Sequence, residues 1–393
     1  MRVLVLHNRY QVSGGEDTAV RREIESLAGA GITVDLLEVD NDGIKGAVSE
    51  IQTALLLPYS PPARRMVAER IRSFQPDVVH VHNFFPRLTP SVYDAAFRAG
   101  LPVVQTLHNF RLVCANALLF RDGKVCTECL GRAFPLPAIR HACYRGSHAG
   151  SAAVALMIGV HRQRETWSRR VSRFIALTHF ARLIFAAETG IPDDRIAVKP
   201  NSAPDPGLGD GAGGYALYAG RFSTEKGIET LLAASALDGG LGLPLKVAGS
   251  GPLQPKIEAA HRAGRLEFVG LQDSESIRRL MHGARVLLVP SICFEGLPMV
   301  VPEAFGAGLP VVASRIGALE TLIDHGANGL LVEPGNPRAL TGAVRRLAAD
   351  QEFYAALRRR ARRAYDSLYR PETNAELLLS IYQEAQAAPR PGA

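Results

Sequence analysis

The 393-residue sequence contains no hydrophobic run long enough to cross a lipid bilayer, which takes about 18 apolar residues. The longest apolar stretch, residues 152–160, is followed at once by His161 and Arg162. The N-terminus also lacks the pattern of a secretory signal, because only four apolar residues separate Arg2 from His7. We therefore expect a cytoplasmic protein whose five cysteines are reduced unless they bind a metal.

Acidic residues are scarce in one segment only. The formal net charge is +7, yet residues 200–393 carry 20 basic and 20 acidic side chains. Residues 110–182 carry 12 basic and 3 acidic side chains, so the whole excess lies there. This segment is predicted to face an anionic acceptor or an anionic membrane surface, although a solvated basic face would look the same. Nucleic acid is disfavoured as a partner, because no aromatic stacking pattern accompanies the charge.

Predicted strands alternate with predicted helices along most of the chain, which indicates parallel sheets covered on both faces. Residues 1–201 form one such series, interrupted at residues 110–150, and residues 215–370 form a second. The glycine- and proline-rich segment 202–214 between them is predicted to be a linker. Residues 371–393 are predicted to form a C-terminal helix that returns to the first series, followed by a tail. In the first helix, Asp17 or Thr18 is the predicted N-cap.

A glycine-bounded basic loop, residues 220–227, follows one predicted strand and precedes a helix. Its Arg221 offers a bidentate fork, its Lys226 a point charge and the helix N-terminus free N–H groups, which together suit a diphosphate. A solvated basic loop is the alternative. Glycines that follow neighbouring strands would let a ligand approach the backbone closely, or would simply form tight turns: Gly249, Gly251 and Gly270.

The most informative segment is residues 291–304, which contains two glutamates eight positions apart. Glu295 lies in a Gly/Pro loop after a predicted strand, and Glu303 is predicted to start a short helix. Such carboxylates can accept hydrogen bonds from the vicinal hydroxyls of a sugar and a ribose. Alternatively, Glu303 only caps its helix and Glu295 is only solvated, which leaves the Phe-Glu-Gly-Leu-Pro loop unexplained.

Taken in this order, these motifs resemble the retaining family 4 glycosyltransferases of the GT-B fold. Glu295 and Glu303 match the E-x7-E element of that family, and the first half adds the Gly14-Gly15 turn and the strand end Thr106-Leu107-His108. The resemblance covers nearly the whole chain. It implies an α/β fold with two Rossmann-like lobes that face each other across a cleft, here with a Cys-rich insert in the N-terminal, acceptor-binding lobe.

The resemblance also implies roles for the matching residues. Arg221 and Lys226 would hold the leaving diphosphate, and Glu303 would bind the ribose hydroxyls. The donor sugar would be held by Glu295 and by the backbone of three residues that follow it: Gly296, Leu297 and Pro298.

Three residues of the first lobe match the family as well. His108 would face the reacting side of the donor sugar, although a histidine at a strand end often only satisfies backbone groups. Gly14 and Gly15 would let a helix N-terminus approach the phosphates or the acceptor. His80 and His82, which alternate with valines in the preceding strand, are weaker candidates for ligand contact.

The implied activity is hexosyl transfer from a UDP- or GDP-sugar to a hydroxyl of a glycan or lipid-linked acceptor, with retention and without a catalytic metal. This would serve cell-surface polysaccharide or glycolipid synthesis at the inner face of the plasma membrane. Two alternatives remain on the same fold. One is a glycosyl phosphorylase or disaccharide synthase, and the other is a non-catalytic assembly subunit that binds nucleotide sugars.

Four cysteines fall inside the segment that departs from the family pattern. They have the spacing C-x11-C-x2-C-x13-C, which in a turn-rich segment favours a structural zinc site: Cys114, Cys126, Cys129 and Cys143. His141 and His148 are alternative ligands. The competing interpretation is one redox-labile pair together with buried thiols.

Overall fold

The computed structural model describes residues 1–11 and 14–388. Two compact units result. Among the described residues, the first comprises residues 1–11, 14–119, 127–201 and 371–388, and the second comprises residues 120–126 and 202–370. The end of the predicted tail, residues 389–393, and Ser13 of the glycine turn lie outside the described residues.

The first unit is built on a six-stranded parallel sheet, because most of its strands are apolar runs that are buried on both faces. Its strand order is β2-β1-β3-β4-β7-β8. The strands are β1 Arg2–Arg9, β2 Thr33–Asp40, β3 Val78–Asn83, β4 Val103–Leu107, β7 Arg173–Ala176 and β8 Ile196–Val198. The helices are α1 Gly15–Gly29, α2 Gly46–Leu56, α3 Pro61–Phe74, α4 Ser91–Arg98, α5 Leu136–Arg140, α6 His148–Gln163, α7 Thr166–Arg170, α8 His179–Thr189 and α16 Pro371–Ala387, with a 3-10 turn at Asp193–Arg195.

The core of the first unit includes the end of the chain. Val3, Val20 and Val78 pack in one buried cluster with Leu378 and Tyr382 of α16, and none of these side chains is more than 1% exposed. Helix α16 also packs against α1. The residues on either side of the second unit therefore build a single hydrophobic core.

The second unit holds another six-stranded parallel sheet, with the order β11-β10-β9-β12-β13-β14. Counted within the unit, this is the order 3-2-1-4-5-6 of dinucleotide-binding sheets. The strands are β9 Tyr215–Ala219, β10 Leu245–Ala248, β11 Glu267–Gly270, β12 Ala284–Val289, β13 Val311–Ser314 and β14 Gly329–Val332. The helices are α9 Ile228–Ser235, α10 Gln254–Arg262, α11 Ser274–His282, α12 Val300–Gly306, α13 Ala318–Leu322, α14 Pro337–Ala349 and α15 Gln351–Leu368, with a 3-10 turn at Thr224–Lys226.

The segment 110–150 has little regular structure. It contains the short helix α5 and the antiparallel pair β5 Phe120–Arg121 and β6 Lys124–Val125. Across the residues the structure describes, helices long and apolar enough to traverse a bilayer are absent.

Candidate active site

Two loops meet where the strand order of the second sheet reverses. Strands β9 and β12 are neighbours there, and the chain leaves the sheet in opposite directions from them, which opens a crevice at their carboxyl ends. The loop after β9 carries Lys226 and the loop after β12 carries Glu295. The Lys226 ammonium lies 2.7 Å from both carboxylate oxygens of Glu295, and Ser291 donates a 2.7 Å hydrogen bond to the same carboxylate.

The two loops are packed against each other at their backbones. Gly227 has a φ of +71°, and a Cβ atom there would lie 1.8 Å from the carbonyl oxygen of Pro290. The amide of Ile292 donates to the carbonyl of Glu225 at 2.9 Å. Only glycine fits at position 227, and this close approach fixes the position of Lys226 relative to Glu295.

The ion pair is mostly shielded from solvent. The side chains of Lys226 and Glu295 are 30% and 10% exposed. Burial disfavours the charged form of Lys226, but the Glu295 carboxylate outweighs this effect and raises the pKa of the lysine. Lys226 therefore stays protonated and places a positive charge at the crevice, where it can interact with an anion.

The other predicted residues of this unit lie around the same sheet edge. Gly249 and Gly251 follow β10, and a Cβ atom on Gly249 would lie 1.9 Å from the carbonyl oxygen of Gly220. Gly270 ends β11 with a φ of +77°. The residues after Glu295 continue its loop, and Arg221 is exposed in the same loop as Lys226.

The prediction for Glu303 needs one correction. It does not start its helix, because α12 begins at Val300, so Glu303 lies within the first turn as a half-buried residue. A carboxylate in the first turn is favoured by the helix dipole whether or not a ligand binds. Its assignment to the ribose stays a prediction.

The first unit has its own reversal point, between β1 and β3. Gly14 precedes α1 and donates its amide to Asp17 Oδ2 at 2.9 Å, while Asp17 Oδ1 lies 2.8 Å from His7 Nε2. Asp17 was the predicted N-cap, but the cap is Gly14, and Asp17 closes the turn from inside the helix. The Gly14-Gly15 turn thus begins a helix near the carboxyl end of β1.

Sequence reasoning missed Glu16. Its Oε2 accepts hydrogen bonds from the Tyr10 hydroxyl at 3.0 Å and from the Asn109 amide at 3.3 Å. Burial raises the pKa of Glu16 to about 7. The sequence did contain a signal. Two acidic residues, Glu16 and Asp17, directly follow the two glycines, and helix capping explains only Asp17.

His108 follows β4 directly and lies in the first unit. Its Nε2 is 2.9 Å from Nδ1 of the buried His82, and burial holds the pKa of His108 well below its usual value. His80 and His82, predicted as weak candidates, are both buried inside the unit. His80 bonds to Tyr382 and Thr106 there, so it belongs to the interior.

The four cysteines of the predicted zinc site do not form a group close enough to share a metal. Among the described residues, the one set of three or more His, Cys, Asp or Glu side chains with that spacing is Glu23, His80 and His82. The cysteines form no disulfide either. The zinc site stays a prediction.

Models of known protein families match the sequences of both units. A model described as Glycosyltransferase Family 4 matches residues 13–203, and a model described as Glycosyl transferases group 1 matches residues 213–350. The chain belongs to the family 4 glycosyltransferases of the GT-B fold. This confirms the family and the two-lobe α/β fold predicted from the motifs.

Individual relatives of this family 4 chain are only moderately similar to it in sequence. An uncharacterised glycosyltransferase of Methanocaldococcus jannaschii is 30% identical over 43% of this chain and 44% of its own length, so the chain spans less than half of that relative. The D-inositol 3-phosphate glycosyltransferase of Saccharomonospora viridis is 26% identical over 96% of this chain and 90% of its own. The structure of Anabaena HepE in complex with UDP covers 98% of this chain and 100% of its own, with a TM-score of 0.70 at 15% identity.

Proposed function

We propose that the protein transfers a sugar from a nucleotide diphosphate sugar to a hydroxyl of a glycan or lipid-linked acceptor, with retention of anomeric configuration. The observation that carries the proposal is the Lys226–Glu295 pair at the reversal point of a sheet with dinucleotide-binding order. The UDP in the structure of the Anabaena relative supports a nucleotide-sugar donor. UDP- and GDP-sugars are both candidates, and cell-surface polysaccharide or glycolipid synthesis is the proposed role.

In this proposal Lys226 and Arg221 stabilise the negative charge that develops on the leaving diphosphate. The transition state is oxocarbenium-like, so its main requirements are charge stabilisation and an aligned acceptor hydroxyl. An incoming phosphate competes with Glu295 for Lys226, which releases carboxylate lone pairs for the hydroxyls of the donor sugar. Arg221, Lys226 and the N-terminus of α9 supply the positive charge, so the proposal requires no divalent cation.

A thermal-shift panel of nucleoside diphosphates and nucleotide sugars tests donor binding. A true donor at about 100 times its Kd should raise the melting temperature by about 5 °C or more. Lys226→Ala should abolish this shift. Lys256→Ala is the matched control, because Lys256 also pairs with a glutamate in this unit but is 56% exposed and lies on α10. A shift that survives in Lys226→Ala would contradict the proposed site.

We further propose that the first unit contacts an anionic membrane. Helix α2 contains no buried residue, and three apolar side chains on one face are widely exposed: Val48, Ile51 and Leu55, at 72%, 58% and 75%. Helix α2 packs against α6, which lies within the basic segment 110–182 and itself exposes Leu156. Exposed apolar groups beside basic charge are typical of helices that lie in the interface of anionic bilayers.

Flotation with vesicles containing phosphatidylglycerol tests this contact. The chain should float at low salt, float less as salt rises, and stay behind when the vesicles are made only of phosphatidylcholine. Leu55→Glu should reduce flotation about tenfold, whereas Leu271→Glu, at an equally exposed leucine of the second unit, should not. Absence of flotation at low salt would refute the membrane contact.

A further inference from the structure

A row of polar side chains runs through the interior of the first unit and ends on His108. Lys199 Nζ lies 2.8 Å from Glu23 Oε2, Glu23 Oε1 lies 3.1 Å from His82 Nε2, and His82 Nδ1 lies 2.9 Å from His108 Nε2. Lys199, Glu23 and His82 are all buried. Charged and strongly polar side chains are rarely buried in a protein core unless they are paired with one another or hydrogen-bonded.

In the first pair of this row, Lys199 and Glu23, the carboxyl group of Glu23 is ionised. Burial opposes ionisation of Glu23, but the Lys199 ammonium, His82 and His80 outweigh it and hold the pKa of Glu23 well below its usual value. Glu23 is therefore a carboxylate whose Oε2 accepts from Lys199. Its Oε1 faces His82 Nε2 at 3.1 Å, but the two atoms miss the alignment of a hydrogen bond, and neither has another hydrogen-bond partner among the described residues.

The proton positions follow along the row. A bare lone pair on His82 Nε2 would repel the carboxylate 3.1 Å away, so Nε2 carries the proton although the bond is imperfectly aligned. Burial lowers the pKa of His82 and keeps its ring neutral, so His82 Nδ1 has no proton and must accept. The atom that donates to it is His108 Nε2, which leaves His108 Nδ1 with a lone pair.

A metal ion at Glu23, His80 and His82 is the competing use of this cluster. Both ring nitrogens of His80 are already bonded, Nδ1 to the Tyr382 hydroxyl at 2.7 Å and Nε2 to the Thr106 hydroxyl at 2.8 Å. Glu23 is neutralised by Lys199. A cation would have to displace one of these two hydrogen bonds and lie beside an ammonium group, so the cluster favours the hydrogen-bonded arrangement.

We infer that Glu23, acting through His82, is a positioning residue that holds His108 as the neutral tautomer protonated at Nε2. His108 Nδ1 then carries a lone pair that can accept a hydrogen bond from a ligand hydroxyl, whereas a ligand carboxylate would face a lone pair instead of a donor. The use of His108 rests on the proposed function, whereas its tautomer does not.

The test is nitrogen-15 NMR of the imidazole rings in the whole chain without ligand, with His108 assigned by loss of its signals in His108→Gln. His108 should show a protonated Nε2 and an unprotonated Nδ1. In His82→Phe, which leaves the Lys199–Glu23 pair in place, His108 should become a mixture of both tautomers. His161→Phe, at an equally buried histidine of the same unit that bonds to Thr166 and Pro58 instead, should leave the tautomer unchanged.

A kinetic measurement separates this inference from the proposed function. If the chain transfers sugar, His82→Phe should lower kcat/KM about tenfold, as expected for one lost hydrogen bond to the ligand. A wild-type His108 protonated at Nδ1, or an unchanged tautomer in His82→Phe, would overturn the inference. The wild-type spectrum decides even if His82→Phe does not fold, and it stands even if no nucleotide sugar binds.

Discussion

Lys226→Ala is expected to lower the rate of sugar transfer by about 10²- to 10³-fold, the effect of removing one preorganised group that stabilises transition-state charge. The variant removes the cation and also leaves the carboxylate of Glu295, whose side chain is only 10% exposed, facing the leaving diphosphate. The loss should appear in both KM and kcat, because the bound donor already carries the diphosphate charge and this charge grows as the bond to the sugar breaks. The measurement is release of nucleoside diphosphate under steady-state conditions.

Further variants show how much of this loss in rate comes from each cause. Lys226→Ala combined with Glu295→Gln should recover part of the loss that comes from repulsion, while Lys256→Ala should keep full activity. Following free phosphate in the same assay distinguishes the phosphorylase alternative, which would consume phosphate without any nucleotide. A loss below about threefold in Lys226→Ala would remove the lysine from the mechanism, since that is less than one ordinary hydrogen bond is worth.

Lys199→Met is expected to lower the free energy of unfolding of the first unit by about 3–5 kcal/mol. Lys199 is 1% exposed and pairs with the buried Glu23, so the variant leaves an uncompensated carboxylate in the core. Urea unfolding followed by tryptophan fluorescence reports this unit alone, because Trp167 is the one tryptophan of the sequence and lies there, fully buried.

Two controls show whether the loss comes from the unpaired charge. Arg182→Met breaks a largely exposed pair with Asp193 in the same unit and should cost no more than about 1 kcal/mol. Adding Glu23→Gln to Lys199→Met removes the unpaired carboxylate and should restore more than half of the lost stability. If the double variant is as unstable as the single one, packing of the lysine stem rather than its charge explains the effect.

The strands were the part of the fold most open to prediction. Apolar runs such as Tyr215–Ala219 and Val103–Leu107 stand out in the sequence, and the structure has both as strands that are almost entirely buried. Helix α2 was missed, because its apolar face is exposed and no core position marks it. A helix that does not contribute to the core carries no periodic signal that ties it to the fold.

The residues of the candidate site and of the buried polar row were also predictable only in part. The motifs located Lys226 and Glu295 individually, but their contact joins residues 69 positions apart and depends on β9 and β12 being neighbours. Glu23 and Lys199, 176 positions apart, were missed entirely. One clue was present, since Glu23 falls on the same face of α1 as Val20 and Leu27, and a charge on a buried helix face needs a partner.

The position of α16 has a consequence for the order in which the chain folds during synthesis. Leu378 and Tyr382 belong to the core of the first unit, and the Tyr382 hydroxyl is one of the partners of the buried His80. The ribosome makes these residues after the whole second unit. The N-terminal half is therefore synthesised first but completed last, and until then it exposes an apolar groove over β1 and α1 that nascent-chain chaperones can recognise.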